Sequence, residues 1–178
     1  MSTLVKLFVR FCLFILVQVF VLNQIPPLNH LVTPYLYFLF ILWLPFNLGR
    51  RTQLFLAFLL GFALDSFTHT YGLHSAPCVL IAYIRPFLTK LLVQHEKEGF
   101  NFEEPSVQSM GFTPYFTYIL ILTFIHHTLL FFLEALQTGG LVYFIIKSLF
   151  STAISILLIL LTELLFTRKQ RFRTNTAK

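Results

Sequence analysis

The residues of this chain that could do chemistry are few and far apart. Asp65 and Arg85 stand in apolar surroundings, and His126 and His127 are consecutive. Glu134 and Lys147 flank the turn Gln137-Thr138-Gly139-Gly140, and Glu163 closes the last apolar run. General acid–base work needs groups converging on one reacting atom, and a metal needs three or four ligands on a common face. Consecutive histidines on a helix point about 100° apart. No Cys, Asp or Glu stands three or four residues from either one. No metal site is expected, and no cofactor. No serine is paired with a base, no phosphate-binding loop occurs, and no two carboxylates share an apolar run. Catalysis finds no support, so these groups are expected to serve structure or docking.

The elements that must position them are set by composition. Of 178 residues, 57% are hydrophobic and 11% charged, and the mean hydropathy is +0.78. Soluble domains carry about 25% charged residues. The 13 basic and 7 acidic side chains here are too few to cover a soluble fold of this size. Lipid is therefore the expected outer solvent, which excludes a soluble enzyme, a nucleic-acid-binding domain and a disordered tail. The 23 phenylalanines are dispersed through the apolar runs rather than gathered in one stacking surface. Cys12 and Cys78 lie in apolar runs near opposite membrane faces and are expected to stay unpaired.

Residues 11–49 contain no Asp, Glu, Lys or Arg. As one helix they would be about 60 Å long, twice the hydrocarbon core. Two helices fit if the chain turns at Asn23–His30, where Pro26 and Pro27 break the helix. Hydropathy predicts an all-α integral membrane protein with one six-helix domain over 1–166. Its spans are at about 7–22, 31–48, 52–70, 73–93, 114–136 and 140–166. A cytoplasmic loop covers 94–111 and a basic cytoplasmic tail 167–178. Lys and Arg are retained on the cytoplasmic side. With both termini inside, every basic residue except Arg85 and Lys147 is cytoplasmic, so the net charge of +6 is a topology signal. No small-x-small cleavage site follows Leu22, and the first span is expected to be retained.

An ionisable group within a span costs at least about 2–3 kcal/mol and needs a partner or a purpose. Asp65 follows Gly61 by one turn, and Gly72 and His74 stand at the next turn. These four are candidates for partner docking; equally, Asp65 caps the end of its own helix through local N–H groups or His69. Arg85 precedes Pro86, where a kink is expected. It either reaches Asp65 or snorkels to the headgroups. One of His126 and His127 is expected to face the interior. Glu134 and Lys147 are expected to pair, with Lys147 snorkelling outward, and Glu163 to meet Arg168 or a neighbouring helix.

The spacing Gly61, Asp65, Gly72, followed by Leu73-His74-Ser75-Ala76, resembles the MreD family of bacterial rod shape-determining membrane proteins. Ala82-Tyr83-Ile84-Arg85-Pro86-Phe87 is similar to the branch of that family found in Bacteroidetes-type bacteria. So are Gln108-Ser109-Met110-Gly111-Phe112, His126-His127 and Leu130-Phe131-Phe132-Leu133-Glu134-Ala135. The resemblance covers about residues 50–165. It implies a non-catalytic scaffold of lateral peptidoglycan synthesis in the bacterial cytoplasmic membrane. The implied partners are the lipid bilayer and an MreC-like single-span protein, and through it the MreB filament, RodA and the elongation transpeptidase, with no nucleic acid.

The fold the resemblance implies is similar to the substrate-binding subunits of energy-coupling-factor vitamin transporters. Such a transporter subunit is the alternative function. Against it, span one begins Leu4-Val5-Lys6-Leu7-Phe8 and has no small-residue docking face. The turns opposite the cytoplasm are also short. A channel or proton-coupled carrier is a third reading, resting only on isolated polar groups.

Overall fold

A computed structural model describes residues 3–25, 32–92, 103–138 and 141–165. Among them are α1 (Thr3–Phe20), α2 (Leu39–Leu42), α3 (Arg50–Thr68), α4 (Ser75–Leu92), α5 (Val107–Met110), α6 (Phe112–Thr138) and α7 (Leu141–Leu165), with no strand. Four helical stretches are long and apolar enough to cross a membrane: Leu4–Gln24, Ser75–Leu92, Phe112–Leu136 and Val142–Leu165. The chain is thus a membrane-embedded helical protein. Its perimeter is apolar, with Leu4 and Phe8 of α1 and Val142, Leu157 and Leu164 of α7 turned outward. α3 matches the four in length but carries Arg50, Arg51 and Asp65. It packs along α4 as a hairpin, and α6 packs against both α4 and α7.

α1, α3, α4, α6 and α7 lie over the ranges read as spans one, three, four, five and six. The range 31–48 does not form the expected helix. Only the single turn Leu39–Leu42 is α-helical there, and residues 32–36 are irregular. The cause is Pro34 and Pro45. Proline cannot donate to a helix and disfavours helical geometry in the residue before it. The ten residues between them would make a helix only about 15 Å long, half the hydrocarbon core.

The segment nonetheless passes from one end of the bundle to the other. Tyr35 packs on His74 and Phe131 at one end, and the Phe46 N–H donates to the Glu103 carbonyl (2.9 Å) at the other. No residue from Tyr37 to Leu44 is more than 5% exposed. A lipid-facing helix would show one bare side, so this stretch runs through the middle.

α4 continues unbroken through Pro86. The expected loop 94–111 is described from Glu103 onward. There Ser106 and Ser109 form a reciprocal capping box at the start of α5. The basic tail and the turn at Pro26 lie outside the described residues.

Candidate functional site

The α3–α4 turn is built around Asp65, which is fully buried. Its Oδ1 accepts the His74 main-chain N–H (2.8 Å) and lies 2.9 Å from His74 Nδ1. Its Oδ2 accepts the N–H groups of Gly72 (3.0 Å) and Ser75 (3.1 Å) and the Ser75 hydroxyl (2.6 Å). The carboxylate therefore caps the start of α4, where free N–H groups and the helix dipole favour negative charge. His69 ends α3 in the left-handed conformation (φ 57°), and Gly72 has φ 88°.

Gly61 lets the two helices meet. A Cβ at position 61 would stand 2.7 Å from the Ser75 nitrogen and 2.8 Å from the His74 carbonyl oxygen. The turn thus brings Gly61, Asp65, Gly72 and His74 together. Gly61, Asp65 and His74 point inward and only Gly72 is exposed. The carboxylate is consumed by donors of its own turn, and His69 is not among them.

Next to this turn lies a buried aromatic and imidazole cluster. The Tyr37 hydroxyl is 2.9 Å from His126 Nε2, and His126 stacks on Phe38. His127 Nδ1 is 2.8 Å from the Thr123 carbonyl, so that nitrogen carries the proton, leaving Nε2 to accept from the Ser155 hydroxyl at 3.2 Å. Ser155 Oγ in turn accepts the Tyr35 N–H (3.2 Å). Both histidines are therefore interior, where one was expected. Each takes a different partner, and among the described residues no three His, Cys, Asp or Glu are grouped to hold a metal.

The same logic extends along the irregular segment. Backbone at membrane depth is tolerated only where protein groups satisfy it. Gln18 of α1 accepts the Leu36 N–H (2.8 Å) and donates to the Pro34 carbonyl (3.2 Å). Ser151 of α7 accepts the Thr33 N–H (3.0 Å).

Past α2 the freed carbonyls need donors, and Tyr118 and Arg85 supply them. The Tyr118 hydroxyl donates to the Leu42 carbonyl (2.9 Å), and Arg85 Nη2 donates to the Leu44 carbonyl. Arg85 also donates to Gln53 Oε1 (2.9 Å) and the Tyr118 oxygen (3.0 Å). It is 1% exposed, and no carboxylate among the described residues lies within salt-bridge distance of it. Arg85 therefore neither snorkels nor pairs with Asp65. Ser75, which Asp65 binds, is ten residues back along α4, about 15 Å away.

Lys147 Nζ meets both oxygens of Glu134 at 2.7 and 2.8 Å and sits over the Phe131 and Tyr143 rings. It is buried there rather than snorkelled. Glu163 accepts from the Tyr115 hydroxyl (3.1 Å), and Arg168 lies outside the described residues. At the opposite end from Asp65, Glu104 accepts from Lys6 (2.7 Å) and Arg10 (2.9 Å). Burial alone would raise the Glu104 pKa. The Lys6 hydrogen bond and the Arg10 charge outweigh it and hold the carboxyl below its usual range.

No protein-family model, curated protein or solved structure matches the chain. What the geometry provides is architectural chemistry. Side chains that hydropathy alone passes over (Gln18, Gln53, Tyr118, Ser151 and Ser155) clamp an irregular segment inside a membrane bundle. Ser151 and Ser155, four apart on one face of α7, were the readable sign that this face meets protein.

Proposed function

We propose that this chain is a non-catalytic scaffold of the MreD kind. It crosses the bacterial cytoplasmic membrane with both termini inside and binds an MreC-like single-span partner of the lateral wall-synthesis machinery. Residues 32–49 make the second of six crossings in broken form. One observation supports this reading. Five of the residues that carry the resemblance hold framework joints: Gly61, Asp65, Gly72 and His74 close the α3–α4 turn, and Arg85 satisfies the broken crossing. Such a signature marks a shared architecture rather than a reaction. A vitamin-capturing subunit needs a chamber between its helices, whereas Tyr37–Leu44 fill the middle of this bundle with side chains.

In this reading the partner helix rests on the apolar perimeter. The test is co-expression with an MreC-like single-span, extracytoplasmic coiled-coil protein from the same genome, followed by purification in mild detergent. The two are expected to co-purify, and depletion of this chain to round the cells. Absence of co-purification together with unchanged cell shape overturns the assignment.

A further inference from the structure

The two pairs of basic residues at one end of the bundle are treated differently by the fold. Lys6 and Arg10 both bridge to the carboxylate of Glu104. Arg50 and Arg51, which open α3, are exposed, and no carboxylate among the described residues bridges to either. Instead the Arg50 guanidinium lies 4.4 Å from the Tyr83 ring centroid and 5.2 Å from that of Phe87. Those rings are 50% and 55% exposed, so they belong to the perimeter of the bundle, where the solvent is lipid. Tyr83 and Phe87 are four apart on α4, and exposed Lys90 continues the same face one turn closer to the helix end.

A planar cation laid on aromatic rings keeps its N–H edge free for an oxyanion. The combination is a pair of unneutralised cations at the end of a helix hairpin, with a greasy aromatic wall leading away from them. Its charge and shape complement a phosphate headgroup with acyl chains attached.

We propose that Arg50 and Arg51, backed by Tyr83 and Phe87, hold the phosphate of an anionic phospholipid at the end of the α3–α4 hairpin. The acyl chains lie along the exposed rings. This assignment does not depend on the function proposed above, because it uses only the perimeter of the hairpin.

Native mass spectrometry of the full-length protein released from detergent tests it. Phosphatidylglycerol and phosphatidylcholine with identical acyl chains serve as probes. Phosphatidylglycerol is expected to be retained about tenfold more tightly, on the scale of the attraction of basic side chains for anionic lipid. The double substitution Arg50→Gln/Arg51→Gln should abolish that preference. Tyr83→Leu/Phe87→Leu, which keeps both charges and changes only exposed positions, should weaken it about threefold by removing the stacking. Soluble glycerol 3-phosphate should not compete with the lipid. Equal retention of the two lipids by the unmodified protein overturns the proposal. So does an unchanged preference in either double variant that still elutes as folded protein. Displacement of the lipid by glycerol 3-phosphate overturns it too, by revealing a site for free anions.

Discussion

A single oxygen of Asp65 receives both the main-chain N–H and the imidazole Nδ1 of His74, at 2.8 and 2.9 Å. The other oxygen serves Gly72 and Ser75, so both lone-pair faces of the carboxylate are filled from one turn. Asp65→Asn would turn an NH2 group toward donors, leaving buried N–H groups unmet. Losses of about 3–5 kcal/mol follow when a buried charged partner is removed. Asp65→Asn is expected to lower the thermal midpoint in detergent more than His74→Ala, which removes only one of the donors. A midpoint within a degree or so of wild type would contradict the capping role.

Two glycines of the same turn should fail for different reasons. Gly61→Ala pushes a methyl into the backbone of His74 and Ser75, which cannot yield as a flexible side chain can. A cost of about 1–3 kcal/mol or more follows from forcing atoms into a packed contact. At Gly72 a Cβ meets nothing within 4 Å, and only the positive φ resists it, worth about 1–2 kcal/mol. Stability measurements should therefore rank Gly61→Ala below Gly72→Ala, with Gly49→Ala, whose nearest neighbour is 3.9 Å away, close to wild type.

Arg85 and Gln53 should be energetically coupled. Arg85→Met removes a buried cation but leaves the Gln53 oxygen and the Leu44 carbonyl without a donor. Adding Gln53→Leu removes one of those orphaned acceptors. The double variant should lose less stability than the sum of the singles, by at least about 1 kcal/mol. Simple additivity in the thermal midpoints would show that the two groups do not share the network.

The Glu104 clamp has a pH dependence whose sign is determined. Its folded pKa lies below the usual carboxylate range because the Lys6 hydrogen bond and the Arg10 charge outweigh burial. Its contribution is therefore complete above the unfolded value of about 4.3, and disappears as pH falls through the lower folded value. Protection of the amides in residues 103–111, taken relative to the intrinsic exchange rate at each pH, should fall in that acid window. In Glu104→Gln the acid-dependent step should vanish, with exchange already faster at neutral pH.

Five long helices were legible because apolar run length and flanking charges report directly on lipid contact. Asp65, Gly61, Gly72 and His74 were legible as one unit through their spacing; the direction they face was not, since nothing in a sequence says which donors will saturate a carboxylate. The range 31–48 was misread as a helix because hydropathy measures solvent preference, not backbone geometry. Tyr37–Leu44 is apolar enough for a membrane helix, and only Pro34 and Pro45 argued otherwise. Arg85 was misjudged for the same reason: its acceptor is a main-chain carbonyl freed by an irregularity that hydropathy does not register.

The irregular segment also sets an order of assembly. Ribosomes release residues 33–44 long before Arg85, Tyr118, Ser151 and Ser155, the side chains that satisfy their backbone. Until α7 emerges, the segment has no complete set of partners in the bilayer. A nascent chain truncated before α7 should therefore hold residues 33–44 as a provisional helix or in the grip of the insertion machinery. Arrival of α7 would then complete the set of partners that holds the segment in its native path.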